Sequence, residues 1–184
     1  MRQSFLAAVA VTAVLAPPLA AQAASLVLGS GLARSCYEYA ERGLMDSGSV
    51  QTCTKALQEE PLSPRDRAST FVNRGVMQLR RKAYTAAVQD FDRAVGLVGG
   101  LGEAYVNRGS AKVGLGQYDD ALIDLDRGLK LGAREPQKAW YNKALAYEAK
   151  GDPKAAYAAY RKASELRPDW DLPKAQLARF KRRE

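Results

Sequence analysis

The 184-residue chain contains no histidine and only two cysteines, Cys36 and Cys53. The first absence removes Ser/His and Cys/His catalysis and the commonest transition-metal ligand. The second leaves too few ligands for a four-coordinate zinc site. Neither GxGxxG nor a P-loop occurs. The carboxylate pairs Glu38/Glu41 and Glu59/Glu60 show no acid/base arrangement. No stretch reaches the roughly 20 apolar residues that a bilayer-spanning helix needs. The chain therefore reads as a non-enzyme with no cofactor and no metal. What it does have is a 47% apolar composition, enough for the core of one ordinary domain, and a formal charge of +8. Such a balance favours acidic partners, anionic lipid or nucleic acid and says nothing about fold.

The first residues stand apart. Arg2 is a lone cation, an apolar run from Phe5 to Ala16 follows, then Pro17-Pro18, and Ala21-Gln22-Ala23 has the small-x-small form of a cleavage site. This is the signal-peptide pattern, spanning 1–23. An uncleaved anchor and a buried helix are the competing readings. Cleavage after Ala23 leaves Ala24–Glu184, with no stable membrane insertion. The expected location is the periplasm, with secretion as the alternative. Ala33-Arg34-Ser35 ahead of Cys36 does not resemble a lipoprotein acylation box. Export argues against nucleic acid as a partner. Arg80-Arg81-Lys82 and the basic tail then serve to solvate the domain or to touch anionic lipid or cell-wall polymers.

Export also favours a disulfide. Gly43, Asp46, Ser47, Gly48 and Ser49 form a turn between two segments that can both be helical. Two antiparallel helices would set Cys36 opposite Cys53, closing a loop worth about 3 kcal/mol by the chain-entropy argument. A reactive redox pair is the alternative, although no Cys-x-x-Cys is present.

Most of the remaining chain repeats itself. "VNRG" stands at Val72–Gly75 and at Val106–Gly109, and "YNKA" at Tyr141–Ala144. With Ala68 as position 1, three units cover 68–101, 102–135 and 137–170, with Pro136 as an extra residue. Position 4 is aromatic (Phe71, Tyr105, Trp140) and position 8 is small (Gly75, Gly109, Ala144). Position 20 is always Ala (Ala87, Ala121, Ala156), position 24 is large (Phe91, Leu125, Tyr160), and position 27 is small (Ala94, Gly128, Ala163). These spacings fall on single faces of two helices, A over positions 2–14 and B over 18–30. One such pair cannot bury its face alone, whereas stacked pairs share a continuous core.

This pattern resembles the tetratricopeptide repeat (TPR). The resemblance implies an all-α fold, a right-handed superhelix of antiparallel helix pairs. Carried backward, the register makes Ser30–Ser63 a degenerate unit with the cysteines at positions 7 and 24, within an N-terminal segment 24–67. Residues 171–184 form a C-terminal capping helix, with Leu172, Ala175, Ala178 and Phe180 covering the last repeat and Lys174, Arg179, Lys181, Arg182 and Arg183 facing water. Position 7 departs from the family, being Arg74, Arg108 and Lys143 where apolar residues are common. Four aspartates, Asp119, Asp120, Asp124 and Asp126, read as a solvated surface of helix B.

The resemblance also implies a function, the binding of a protein or peptide in a concave groove lined by helix A. The groove positions select Val72, Asn73 and Val76 in the first unit, Val106, Asn107 and Ser110 in the second, and Lys138, Tyr141, Asn142 and Leu145 in the third. Position 6 is Asn each time. A carboxamide offers donors and an acceptor and can hold a peptide backbone without reading side chains. The column resembles the asparagine ladder of some TPR proteins; bonds to local backbone or water are the other reading. Asn107 and Lys138 match two positions of the family's carboxylate clamp, but Val72, Val76 and Asn142 do not match the rest. The alternative role is that of a structural subunit in an envelope complex, acting through end-to-end helix packing.

Overall fold

A computed structural model describes residues 31–181, the side chain of Lys181 excepted. The expected signal peptide, 1–23, lies outside these residues. Among them are nine helices and no strand. They are α1 (Leu32–Glu41), α2 (Ser47–Glu59), α3 (Pro64–Arg80), α4 (Tyr84–Leu97), α5 (Gly102–Gly114), α6 (Tyr118–Lys130), α7 (Pro136–Ala149), α8 (Pro153–Leu166) and α9 (Asp171–Lys181).

The helix starts follow from side chains that take up free N–H groups. Asp46 accepts from Ser49 N, Ser63 from Asp66 N and Asp152 from Ala155 N. Pro64 and Pro153 occupy first-turn positions where no N–H is needed. The turns inside the three repeats share one conformation. Position 15 is left-handed each time: Lys82 at φ 62°, Gly116 at 75° and Gly151 at 78°. Glycine adopts this region freely, whereas Lys82 does so at a steric cost.

The helices pair as α1/α2, α3/α4, α5/α6 and α7/α8, and each pair stacks on the next. Helices α1, α3, α5 and α7 make an inner row, and α2, α4, α6 and α8 an outer one. Close approach within a pair explains the small residue at position 8. A Cβ on Gly75 would lie 2.7 Å from the Phe91 ring, and one on Gly109 2.7 Å from Leu125. Position 24 of helix B thus fills the space that position 8 of helix A leaves open.

The departures at position 7 prove to be structural. Arg74 makes a bidentate bond to Asp90 at position 23 of its own unit, at 2.8 and 2.7 Å, and donates to Thr54 of the preceding hairpin at 3.0 Å. Arg108 does the same with Asp124, at 2.8 and 2.6 Å, and with Asp92 of the preceding unit at 2.7 Å. Lys143 keeps only the backward link, to Asp126 at 2.6 Å. The position-7 cations also lie near the position-4 rings of their own units, Arg108 at 5.1 Å from Tyr105 and Lys143 at 4.5 Å from Trp140. Asp124 corrects the expectation of a solvated aspartate surface. It is buried beneath Arg108 and Lys112, because a cation at position 7 needs an acid on the facing helix.

In the first hairpin a Cys36–Cys53 disulfide, with Cα atoms 4.8 Å apart, joins the two helices at buried positions. Glu60 closes this hairpin from outside, accepting from Ala33 N at 3.0 Å and from Leu32 N at the start of α1.

The C-terminal helix is rotated from its expected setting. Leu172, Ala175 and Ala178 are exposed; Phe180 covers the last repeat as expected, and Trp170 and Leu177 cover it in place of the other three. Trp170 fixes the rotation by packing 5.0 Å from Tyr141, which turns the stripe at i, i+7 and i+10 inward. Arg179, expected in water, is paired with Glu148.

Candidate peptide-binding face

The candidate residues sit where the repeat register puts them, on the three inner helices α3, α5 and α7. Nine of the ten are buried, and Lys138 alone is half-buried. Val72 and Val76 belong to one apolar cluster with Leu79, Ala104 and Ala111. Val106 packs with Leu125, Ala133 and Ala139. Tyr141 and Leu145 join the last cluster, in which Tyr141 meets Tyr160 edge-on at 5.4 Å. Burial raises the pKa of the Tyr141 phenol and keeps it neutral.

The asparagine column is polar and wholly buried, with Asn73, Asn107 and Asn142 all at 0% exposure. Its members differ in what they bond. Asn142 Nδ2 donates to Ser110 Oγ at 2.6 Å, and Ser110 Oγ donates in turn to the Val106 carbonyl at 2.9 Å. Position 6 of the third unit is thereby tied to position 9 of the second. The same step backward from Asn107 leads to Val76, which has no polar side-chain atom. Neither Nδ2 nor Oδ1 of Asn107 makes a hydrogen bond. A buried polar group left this way costs about 1–3 kcal/mol, and native proteins keep few of them. Val76 and Ser110 are thus the signal for which asparagine is left over, and they lie in the neighbouring unit.

One end of this face is basic. Lys138 bonds Glu135 at 2.7 Å. Burial lowers its pKa, Glu135 opposes that, and Arg167 and Arg80 add to the lowering. Arg80, the first cation of the Arg80-Arg81-Lys82 run, is drawn in and donates to the Ala40 carbonyl at 2.5 Å. Among the described residues no group of three or more acidic, cysteine or histidine side chains is placed to hold a metal ion. No helix among them is long and apolar enough to cross a membrane.

Comparison with known proteins agrees with the geometry. Residues 102–131 and 138–169 each match a family model described as tetratricopeptide repeat. No curated protein matches the chain in sequence. Among solved structures, a crystal structure of MamA is similar at TM-score 0.63 and 22% identity, covering 77% of this chain and 80% of that one. MamA 41-end from Desulfovibrio magneticus RS-1 gives 0.65 and 20%, with 79% of each chain covered. The Arabidopsis OM64 TPR domain gives 0.60 and 23%, covering 64% of this chain and 96% of that domain. At such identities the likeness is one of fold. Residues 102–131 and 138–169 thus carry tetratricopeptide repeats, and the described helices build an α-solenoid of that fold, of a kind suited to protein–protein interaction.

Proposed function

We propose that this tetratricopeptide-repeat protein is an exported, non-enzymatic interaction module that holds a partner polypeptide against the inner face of α3, α5 and α7, in the periplasm. The observation that carries this reading is Asn107, a fully buried carboxamide with neither polar atom bonded. An extended peptide supplies one N–H and one C=O per residue, the complement of what Asn107 lacks. The flanking valines would give apolar contact without selecting a particular side chain. The basic end around Lys138, Arg80 and Arg167 favours an acidic residue on the peptide.

Selection of a displayed random-peptide library against the protein tests the proposal. Enriched peptides should bind with extended character, and Asn107→Ala should weaken them about 5- to 30-fold, the value of one or two buried hydrogen bonds. No enrichment, or enrichment indifferent to Asn107, would reject the site.

A second reading rests on α9, whose outer side exposes Leu172, Ala175 and Ala178. There the protein is an assembly subunit of an envelope complex, joined end to end. Deleting Leu172–Glu184 should then lower the oligomer mass measured by light scattering.

A further inference from the structure

Helix α1 packs on α3, and α3 on α5, so the turns 42–46, 81–83 and 115–117 follow one another along one edge of the solenoid. Arg80 ties the first two together. It donates to the Ala40 carbonyl at 2.5 Å, and a Cβ on Gly43 would lie 3.9 Å from its Nη1. This edge is apolar and basic at once. Leu44, Met45 and Leu115 are 38%, 44% and 38% exposed, three of the seven large hydrophobic side chains exposed among the described residues. Arg42, Arg81 and Lys82 stand exposed around them. Among the described residues none of these three cations is in an ion pair. The nearby acids are engaged elsewhere. The Tyr37 hydroxyl bonds Glu41, Asp46 accepts from Ser49 N and Oγ at 3.0 and 2.6 Å, and Asp119 pairs with Lys150. Lys82 adds an independent observation. It holds φ 62° where the later repeats carry Gly116 and Gly151. A left-handed lysine costs backbone energy that glycine would not, so this position keeps a cation against a steric penalty.

We propose that this edge docks on an anionic lipid surface, with Leu44, Met45 and Leu115 entering the headgroup layer and Arg42, Arg81 and Lys82 binding lipid phosphates. Exposed apolar side chains rimmed by cations suit such a contact. Long cationic side chains lie along apolar surface and still reach the headgroups. The size of the edge favours a surface over a small ligand. Its first and last apolar points are two helix-packing steps apart, about 16–20 Å. Several headgroups cover that span, and a single small anion does not. A bilayer also offers phosphate and an apolar layer in one partner, whereas a soluble polyanion offers only the first. The contact is peripheral, made by the side chains of three turns. Each cation held near an anionic surface strengthens binding about fivefold. The proposal does not depend on the peptide-binding reading.

The test is flotation of the oxidised 184-residue chain with vesicles of equal parts phosphatidylcholine and phosphatidylglycerol. The variants differ only at the substituted residues, so the rest of the chain contributes equally to all, and circular dichroism checks their helicity. Arg42→Glu with Arg81→Glu should weaken binding about 25-fold or more. Arg161→Glu with Lys162→Glu makes the same charge change at exposed positions of α8. Those residues lie about 12 Å along α8 from its own turn, beyond the Debye length of about 10 Å at 0.1 M salt. They should cost about threefold or less. Equal losses from the two pairs would reduce the effect to net charge and overturn the proposal. Leu44→Ser with Met45→Ser should weaken vesicle binding about tenfold and leave any binding of inorganic polyphosphate unchanged. Vesicle binding that responds to the charge changes but not to the serines would make the edge a polyanion site, and the lipid assignment would fall. Benzoylphenylalanine in place of Met45 should photocrosslink to lipid on the mixed vesicles. Crosslinks to protein alone, or none, would count against docking.

Discussion

Cys36 in the first hairpin and Arg74, Arg108 and Lys143 in the three repeats occupy the same register position. In the first hairpin it links covalently to Cys53 on the partner helix. In the repeats it reaches an aspartate at position 23 of its own unit, a polar side chain at position 25 of the unit before, or both. The difference follows from place in the stack. An internal repeat has a preceding unit, and a long cation can pair within its unit and across the seam at once. The first hairpin has no earlier described unit to reach, and it is short of packing residues: its buried clusters rest on Cys36, Ala40, Cys53 and Met77, and on Ala33 with Ala56. A covalent link holds where a shared ionic seam has nothing to share.

The largest test of this contrast removes the acid beneath a position-7 cation. Asp124→Ala leaves Arg108 and Lys112 facing a buried gap and should cost about 3–4 kcal/mol in denaturant unfolding. A cost below 1 kcal/mol would mean that the ionic seam is ornamental. Replacing both cysteines by serine should cost about 3 kcal/mol. That loss should be local, with amide exchange rising in α1 and α2 while α5–α8 keep their protection. Uniform loosening would show that the cap and the repeats are one cooperative unit. Lys82→Gly gives the first repeat the same turn residue as the others and should add about 0.5–1 kcal/mol. The smallest effect belongs to Asp92→Ala. Asp92 reaches Arg108 from an exposed position, and its loss should cost under about 0.5 kcal/mol. A larger loss would make the seam between repeats, rather than the pair within one, the stronger link.

Much of this was legible in the residues. The 34-residue period, the facing of Gly75 with Phe91 and Gly109 with Leu125, and the Cys36–Cys53 bridge all follow from spacing, because each depends on local helical geometry. What escaped depends on contacts made across units. Glu60 caps a helix that begins 28 residues earlier. Arg108 pairs backward with Asp92, and Trp170 rotates α9 by stacking on Tyr141. The asparagine column was visible as a column, but sequence gave its members one role. Whether a given Asn is satisfied depends on position 9 of the unit before it. Ser110 accepts from the Nδ2 of Asn142, and Val76 leaves both polar atoms of Asn107 without a hydrogen bond.

Asn107→Leu tests the central claim most directly, since it removes an unbonded carboxamide and keeps its branched outline. If Asn107 is retained for a ligand at the expense of stability, the substitution should raise Tm by about 2–4 °C and weaken library-peptide binding about 5- to 30-fold. A lowered Tm with peptide binding unchanged would contradict the account, making Asn107 an ordinary core residue.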